Sequence, residues 1–253
     1  MCTKKYCWLF FVAASFLFAL LLTFLLNKID YFKHIHQLNQ DKCKTIDLPL
    51  AVEDLEIFNH KYLLGGMGDL LTLNELKGID AAKKGALVAW RLEDVDNSMH
   101  LVPLVNFPEN VRFQAHGMYL EKESQTLFVL SHAYKYGGER VEVFRLSQQD
   151  NKVVANYMRS IKLPDEVNGM LNDLIVVGDY IYLTQYMPFP DSMEGRDHSL
   201  GTTLKRIYIH ALLKTGDIWK CKNTRADNQK EEEADCVIEV KDLIGFEIGR
   251  AHV

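Results

Sequence analysis

The chain carries no long basic run, and its formal net charge is −5. A nucleic-acid surface needs clustered positive charge, so nucleic acid is not an expected partner. Gly-X-Ser-X-Gly, His-Glu-X-X-His and the Walker phosphate loop are all absent. Serine-triad hydrolysis and nucleotide-driven chemistry therefore lack their usual sequence support. Asn-X-Ser/Thr does not occur either, so glycosylation gives no information on topology. No repeat of fixed period is visible, and no long amphipathic helix is expected after Leu48.

What is present begins at the N-terminus. Lys4 and Lys5 precede an uncharged run from Tyr6 to Leu26. That length suits a membrane-spanning helix better than the shorter core of a cleavable signal. The reading is an uncleaved signal anchor over 6–26, with a short cytosolic tail at 1–5 and a juxtamembrane stalk at 27–47. A membrane is thus an expected partner, with the rest of the chain extracellular or lumenal. His34 and His36 in the stalk match no standard zinc spacing.

Five cysteines are present. Cys2 and Cys7 lie at the membrane end and are candidates for acylation. Cys43, Cys221 and Cys236 would face an oxidising compartment, which favours pairing. Three is an odd number. A bond between Cys221 and Cys236 would close a charged loop, and two unpaired thiols on that loop is the other reading.

From Leu48 onward, short apolar runs alternate with turn residues. Ala86–Leu92, Thr126–His132, Arg140–Leu146, Leu174–Val177, Tyr180–Thr184 and Lys205–Leu212 read as strands, being rich in Val, Ile, Tyr and Phe. Gly137-Gly138, Gly178-Asp179 and Thr215-Gly216-Asp217 read as hairpin turns. Gly65-Gly66-Met67-Gly68 lacks the spacing of a nucleotide fingerprint and reads as a flexible loop. The expectation is an all-β fold of meanders, as a propeller or a sandwich.

Two doublets stand at strand starts: Glu53-Asp54 before Leu55–Phe58, and Asn172-Asp173 before Leu174–Val177. Adjacent residues on an extended strand point to opposite faces, so each doublet can serve two sites. Carboxylate and amide oxygens gathered from distant segments suit a hard cation such as calcium. Ordinary turn residues preceding strands have the same appearance.

Three motifs in register resemble the paraoxonase/arylesterase family. They are Val52-Glu53-Asp54-Leu55-Glu56-Ile57, Phe113-Gln114-Ala115-His116-Gly117-Met118 and Leu171-Asn172-Asp173-Leu174-Ile175-Val176-Val177-Gly178. The resemblance runs from about Cys43 to Phe246. It implies a six-bladed β-propeller, incomplete here, over 48–246, with two calcium ions in its tunnel. Glu53 and Asn172 would bind the catalytic ion. Asp54, Asp173 and the backbone carbonyl of Met118 would hold the structural one. His116 would match the active-site histidine, and His132 its histidine partner. The implied chemistry is hydrolysis of lactones and aryl esters. Calcium would polarise the carbonyl, and His116, oriented by His132, would deprotonate water.

The chain departs from the family in places. The family takes further calcium ligands from later blades, and these are not placed here. Cys43 resembles a cysteine whose disulfide partner lies near the family's C-terminus. The tail 247–253 reads as non-native. Thr184-Gln185-Tyr186-Met187 stands where family enzymes carry Thr-Asn-Asp-His. The alternative is therefore a non-catalytic relative that assists assembly of other membrane proteins. A strictosidine-synthase-like propeller fits less well, because of Glu53-Asp54.

Overall fold

The computed structural model describes residues 4–28, 31–34, 45–69, 72, 78–93, 99–132, 139–167, 170–188, 199–212, 214–223 and 231–244. The chain divides into two units, Met1–Asp47 and Leu48–Val253. Gly137-Gly138, Cys43, His36 and the tail 247–253 lie outside the described residues.

The first unit holds one helix, α1 (Lys4–Lys28). Its stretch Trp8–Asn27 is 20 residues long, about 30 Å at the helical rise. That matches the hydrocarbon core of a bilayer. Trp8, Phe10, Phe11, Phe16, Leu17 and Phe18 are all exposed. A helix that is apolar all round needs burial in protein or in lipid. None of the stretch is buried among the described residues, and by length and composition it is apolar enough to cross a membrane. The Thr23 hydroxyl donates to the Ala19 carbonyl at 2.9 Å.

The second unit is mostly strand. Its first sheet runs β1 (Ala51–Phe58), β2 (Tyr62–Gly68), β3 (Ala86–Arg91) and β4 (Met99–Val102), paired in that order. After the short β5 (Leu104–Val105), the second sheet is built on β6 (Ala115–Glu121), β7 (Thr126–His132), β8 (Glu139–Gln149) and β9 (Lys152–Lys162). The third contains β10 (Met170–Val177), β11 (Tyr180–Met187), β12 (Lys214–Lys222) and, after β13 (Glu231–Glu233), β14 (Cys236–Ile244). These ladders are antiparallel, and only β5 and β13 join β9 in parallel. No sheet closes into a barrel among the described residues.

Two apolar layers hold the sheets together. Tyr62, Leu64 and Leu87 of the first sheet meet Met118, Leu127, Val129 and Phe144 of the second. Phe128, Leu130, Val141 and Ile161 on the opposite face of the second sheet meet Leu174, Val176, Ile181, Leu183 and Trp219 of the third. The second sheet is therefore covered on both faces. That explains why β7, Thr-Leu-Phe-Val-Leu-Ser-His, is a continuous apolar run and is buried along its whole length. Each large side chain so buried contributes about 1.5–3 kcal/mol.

Turn chemistry matches local sequence at several tips. Asp150 and Asn151, both at positive φ, form the two-residue link between β8 and β9, as such a hairpin needs. Asn59 and His60, also at positive φ, open the longer link from β1 to β2. Gly178, at φ 58°, starts the expected Gly178-Asp179 turn between β10 and β11.

Three sequence expectations are corrected. Lys205–Leu212 is not a strand; it lies in α2 (Leu200–Leu212). Leu200, Leu204 and Ile207 sit at helical spacing, and the Ser199 hydroxyl caps the start by accepting from the Thr202 amide at 3.3 Å. Helical periodicity and a cap outweighed the β-favouring Ile-Tyr-Ile. An amphipathic helix therefore does interrupt the strands. Thr215-Gly216-Asp217 is not a turn but part of β12. Gly65-Gly66-Met67-Gly68 is not a loop but the end of β2. A Cβ on Gly65 would lie 2.9 Å from Val52 Cγ1, and one on Gly66 would lie 3.0 Å from Met118 Sδ. Glycine is there for close packing.

Cys221 and Cys236 form a disulfide across facing positions of β12 and β14. The bond joins residues 15 apart in sequence.

Candidate functional site

The first strand of each sheet carries the same irregularity. Pairing of β1 with β2 jumps from Val52–Met67 to Leu55–Gly65, so Glu53 and Asp54 together oppose Gly66. On β6, Ala115 pairs Ser131 and Met118 pairs Val129, so His116 and Gly117 oppose Leu130. On β10, Leu171 pairs Gln185 and Leu174 pairs Leu183, so Asn172 and Asp173 oppose Thr184. Two residues against one is a β-bulge, which bends a strand and re-aims its side chains. Both sequence doublets are bulges, and so is His116-Gly117.

The bulges come together around β6. Glu53 Oε2 lies 2.5 Å from His116 Nε2. Asp54 Oδ2 accepts the Met118 amide of β6 at 2.6 Å, and its Oδ1 accepts the Leu55 amide at 2.7 Å. Neighbouring Glu53 and Asp54 therefore both reach β6. Glu53 meets the His116 side chain and Asp54 the Met118 backbone, and the bulge breaks strict alternation at this pair. Two residues further along, the buried Glu56 accepts the Leu120 amide at 2.7 Å. Asp54 and Glu56 thus satisfy amides along a sheet edge that has no strand partner on that side.

On the other side of β6, Gly117 sits against β10. A Cβ there would lie 2.6 Å from the Asn172 carbonyl oxygen and 2.6 Å from Asp173 Cα. Only glycine permits this approach. Asp173 Oδ1 accepts the Leu174 amide at 2.7 Å, as Asp54 does with Leu55. The Thr184 hydroxyl fills the mouth of the bulge, accepting the Asp173 amide at 3.0 Å.

Behind His116 runs a buried chain of ionisable groups. His116 Nδ1 lies 2.7 Å from His132 Nε2, and His132 Nδ1 lies 2.6 Å from Glu139 Oε2. His116, His132 and Glu139 are 8%, 6% and 2% exposed, so solvent screens these contacts little. His132 and Glu139 face each other directly on β7 and β8. The hydrogen bond from His116 holds the Glu53 carboxyl below its usual range; burial opposes this, and the charges of His116 and His132 add to it.

The structure thus brings Glu53, Asp54, His116, Met118 and His132 together with Asn172-Asp173, through adjoining bulges. Among the described residues, no three His, Cys, Asp or Glu side chains are grouped as the ligands of one ion. Sequence reading missed Glu139, Glu56 and the packing role of Gly117. Glu139 opens β8 and Glu56 lies within β1, and only their burial in the fold marks them. The Gln185 side chain is turned inward, 3% exposed, and accepts from Trp219 Nε1 at 3.2 Å.

No protein-family model matches the chain, and no curated protein matches it.

Proposed function

We propose that this chain is a membrane-anchored member of the paraoxonase/arylesterase family that hydrolyses lactones and aryl esters with calcium. The three sheets are read as blades of a six-bladed propeller, with β1, β6 and β10 innermost. The observation that carries the reading is the repeated bulge: each of the three motifs occupies the same position on the first strand of its sheet. α1 serves as a signal anchor, with Lys4 and Lys5 on the cytosolic side.

The donor set suits calcium, since it offers carboxylate, amide and carbonyl oxygen. Glu53 and Asn172 would hold one ion; Asp54, Asp173 and the Met118 carbonyl would hold the other. Calcium, when bound, would polarise the ester carbonyl and stabilise the oxyanion. His116 Nε2 faces Glu53 and the site, and it takes the proton of the attacking water. His132 holds His116 from behind through Nδ1. The inward packing of Gln185 favours a second reading, a non-catalytic relative assisting membrane-protein assembly, because no tunnel-mouth amide is offered there.

The test is hydrolysis of a lactone and an aryl ester by the full chain in detergent. Turnover is expected to vanish on chelation and to return with calcium. His116→Gln should lower turnover by about 10²–10⁴-fold with an unchanged melting temperature. Activity that survives complete calcium removal, or full activity in His116→Gln, overturns the proposal.

A further inference from the structure

We infer that Glu139 is a positioning residue that sets the tautomer of His132, so that the Nε2 lone pair of His132 accepts from His116 and holds that ring in place. The inference rests on the hydrolase reading for its kinetic consequence, and on geometry alone for its tautomer.

An ionised carboxylate accepts hydrogen bonds and cannot donate them. Glu139 Oε2 stands 2.6 Å from His132 Nδ1, so that nitrogen carries the proton. Neutral His132 then has its lone pair on Nε2, which lies 2.7 Å from His116 Nδ1. The proton of that bond belongs to His116 Nδ1. At its other nitrogen His116 faces a second carboxylate, with Nε2 2.5 Å from Glu53 Oε2. Glu139 sets the direction of the His132 end of this chain. Without it, the opposite order becomes equally available there: His132 donates from Nε2 and His116 accepts at Nδ1.

Glu139 is well placed for this role. Its backbone is held on both sides, by the pairing with His132 and by its carbonyl accepting the Leu163 amide at 3.1 Å. The His132 amide is likewise fixed on the Gln114 carbonyl at 3.1 Å. Neither ring nor carboxylate can drift without breaking strand contacts.

The test uses the full chain with ¹⁵N-labelled histidine in detergent micelles. Ring nitrogen shifts report which nitrogen is protonated, and His132→Gln assigns the His132 signals. The unmodified protein is expected to hold His132 as the Nδ1–H form. Glu139→Leu removes the acceptor and should convert His132 mainly to the Nε2–H form. Glu139→Gln keeps shape and hydrogen bonding but can donate as well as accept, so a mixture is expected; it decides the matter if the leucine variant does not fold. In turnover assays either variant should lower kcat by about 10²-fold, with KM within about twofold. His132 remaining wholly Nδ1–H in the folded variant would overturn the inference. A wild-type chain inactive on every ester sinks the hydrolase reading but leaves the tautomer measurement decisive.

Discussion

At Gly117, 2.6 Å separates a hypothetical Cβ from backbone atoms of β10. Backbone cannot rotate aside as a side-chain tip can, so Gly117→Ala must push β6 and β10 apart. Overpacking of this kind costs about 1–3 kcal/mol. Chemical denaturation of the variant should show an earlier midpoint, and turnover should fall because His116 is adjacent. Glu53 gives a second expectation. Its carboxyl is held below the usual range in the folded protein, chiefly by the His116 hydrogen bond. A depressed carboxylate adds stability above its unfolded pKa and loses it as pH falls through the folded one. Thermal melts of the calcium-free protein should therefore drop on acidification below the ordinary carboxylate range. Glu53→Gln should flatten that part of the profile. Glu53 and His116 were singled out in the sequence by the motifs that resemble the paraoxonase/arylesterase family, and the structure places them in contact. Glu139 was not, because nothing in sequence says that it stands opposite His132; the register of β7 and β8 decides that.

At the scale of elements, strand β7 was legible with its bounds, Thr126–His132. Leu127–Leu130 are apolar on both faces of the strand, which suits a sheet covered on both sides. Its burial implies cost: Leu130, fully buried between the second and third sheets, should lose about 2–5 kcal/mol as Leu130→Ala, read from denaturant midpoints. Helix α2 was misread as a strand, since eight residues of mixed Ile, Tyr and Leu fit either period when taken alone. Adding Ser199 to Thr203 supplies the cap and the helical turn. The glycines of β2 were misread for a different reason. Glycine marks both loops and tight contacts, and only the positions of Val52 and Met118 distinguish them.

For the whole molecule, two compact units are joined in one chain. α1 exposes aromatic and aliphatic side chains all round. The protein should stay with membranes through alkaline carbonate washing and be released only by detergent. Recovery in the soluble fraction would argue against a spanning helix. A disulfide such as Cys221–Cys236 is the kind of bond that an oxidising compartment favours.

By itself the sequence determined the apolar helix, the all-β character, most strand positions and the two doublets. These are local properties: run length, period and the chemistry of neighbours. Tertiary structure alone decided that the doublets are bulges, that both Glu53 and Asp54 reach β6, and that Glu139 completes the histidine chain. The physical reason is register. A two-for-one mismatch between strands is invisible in either strand alone, yet it sets where every side chain of the site points.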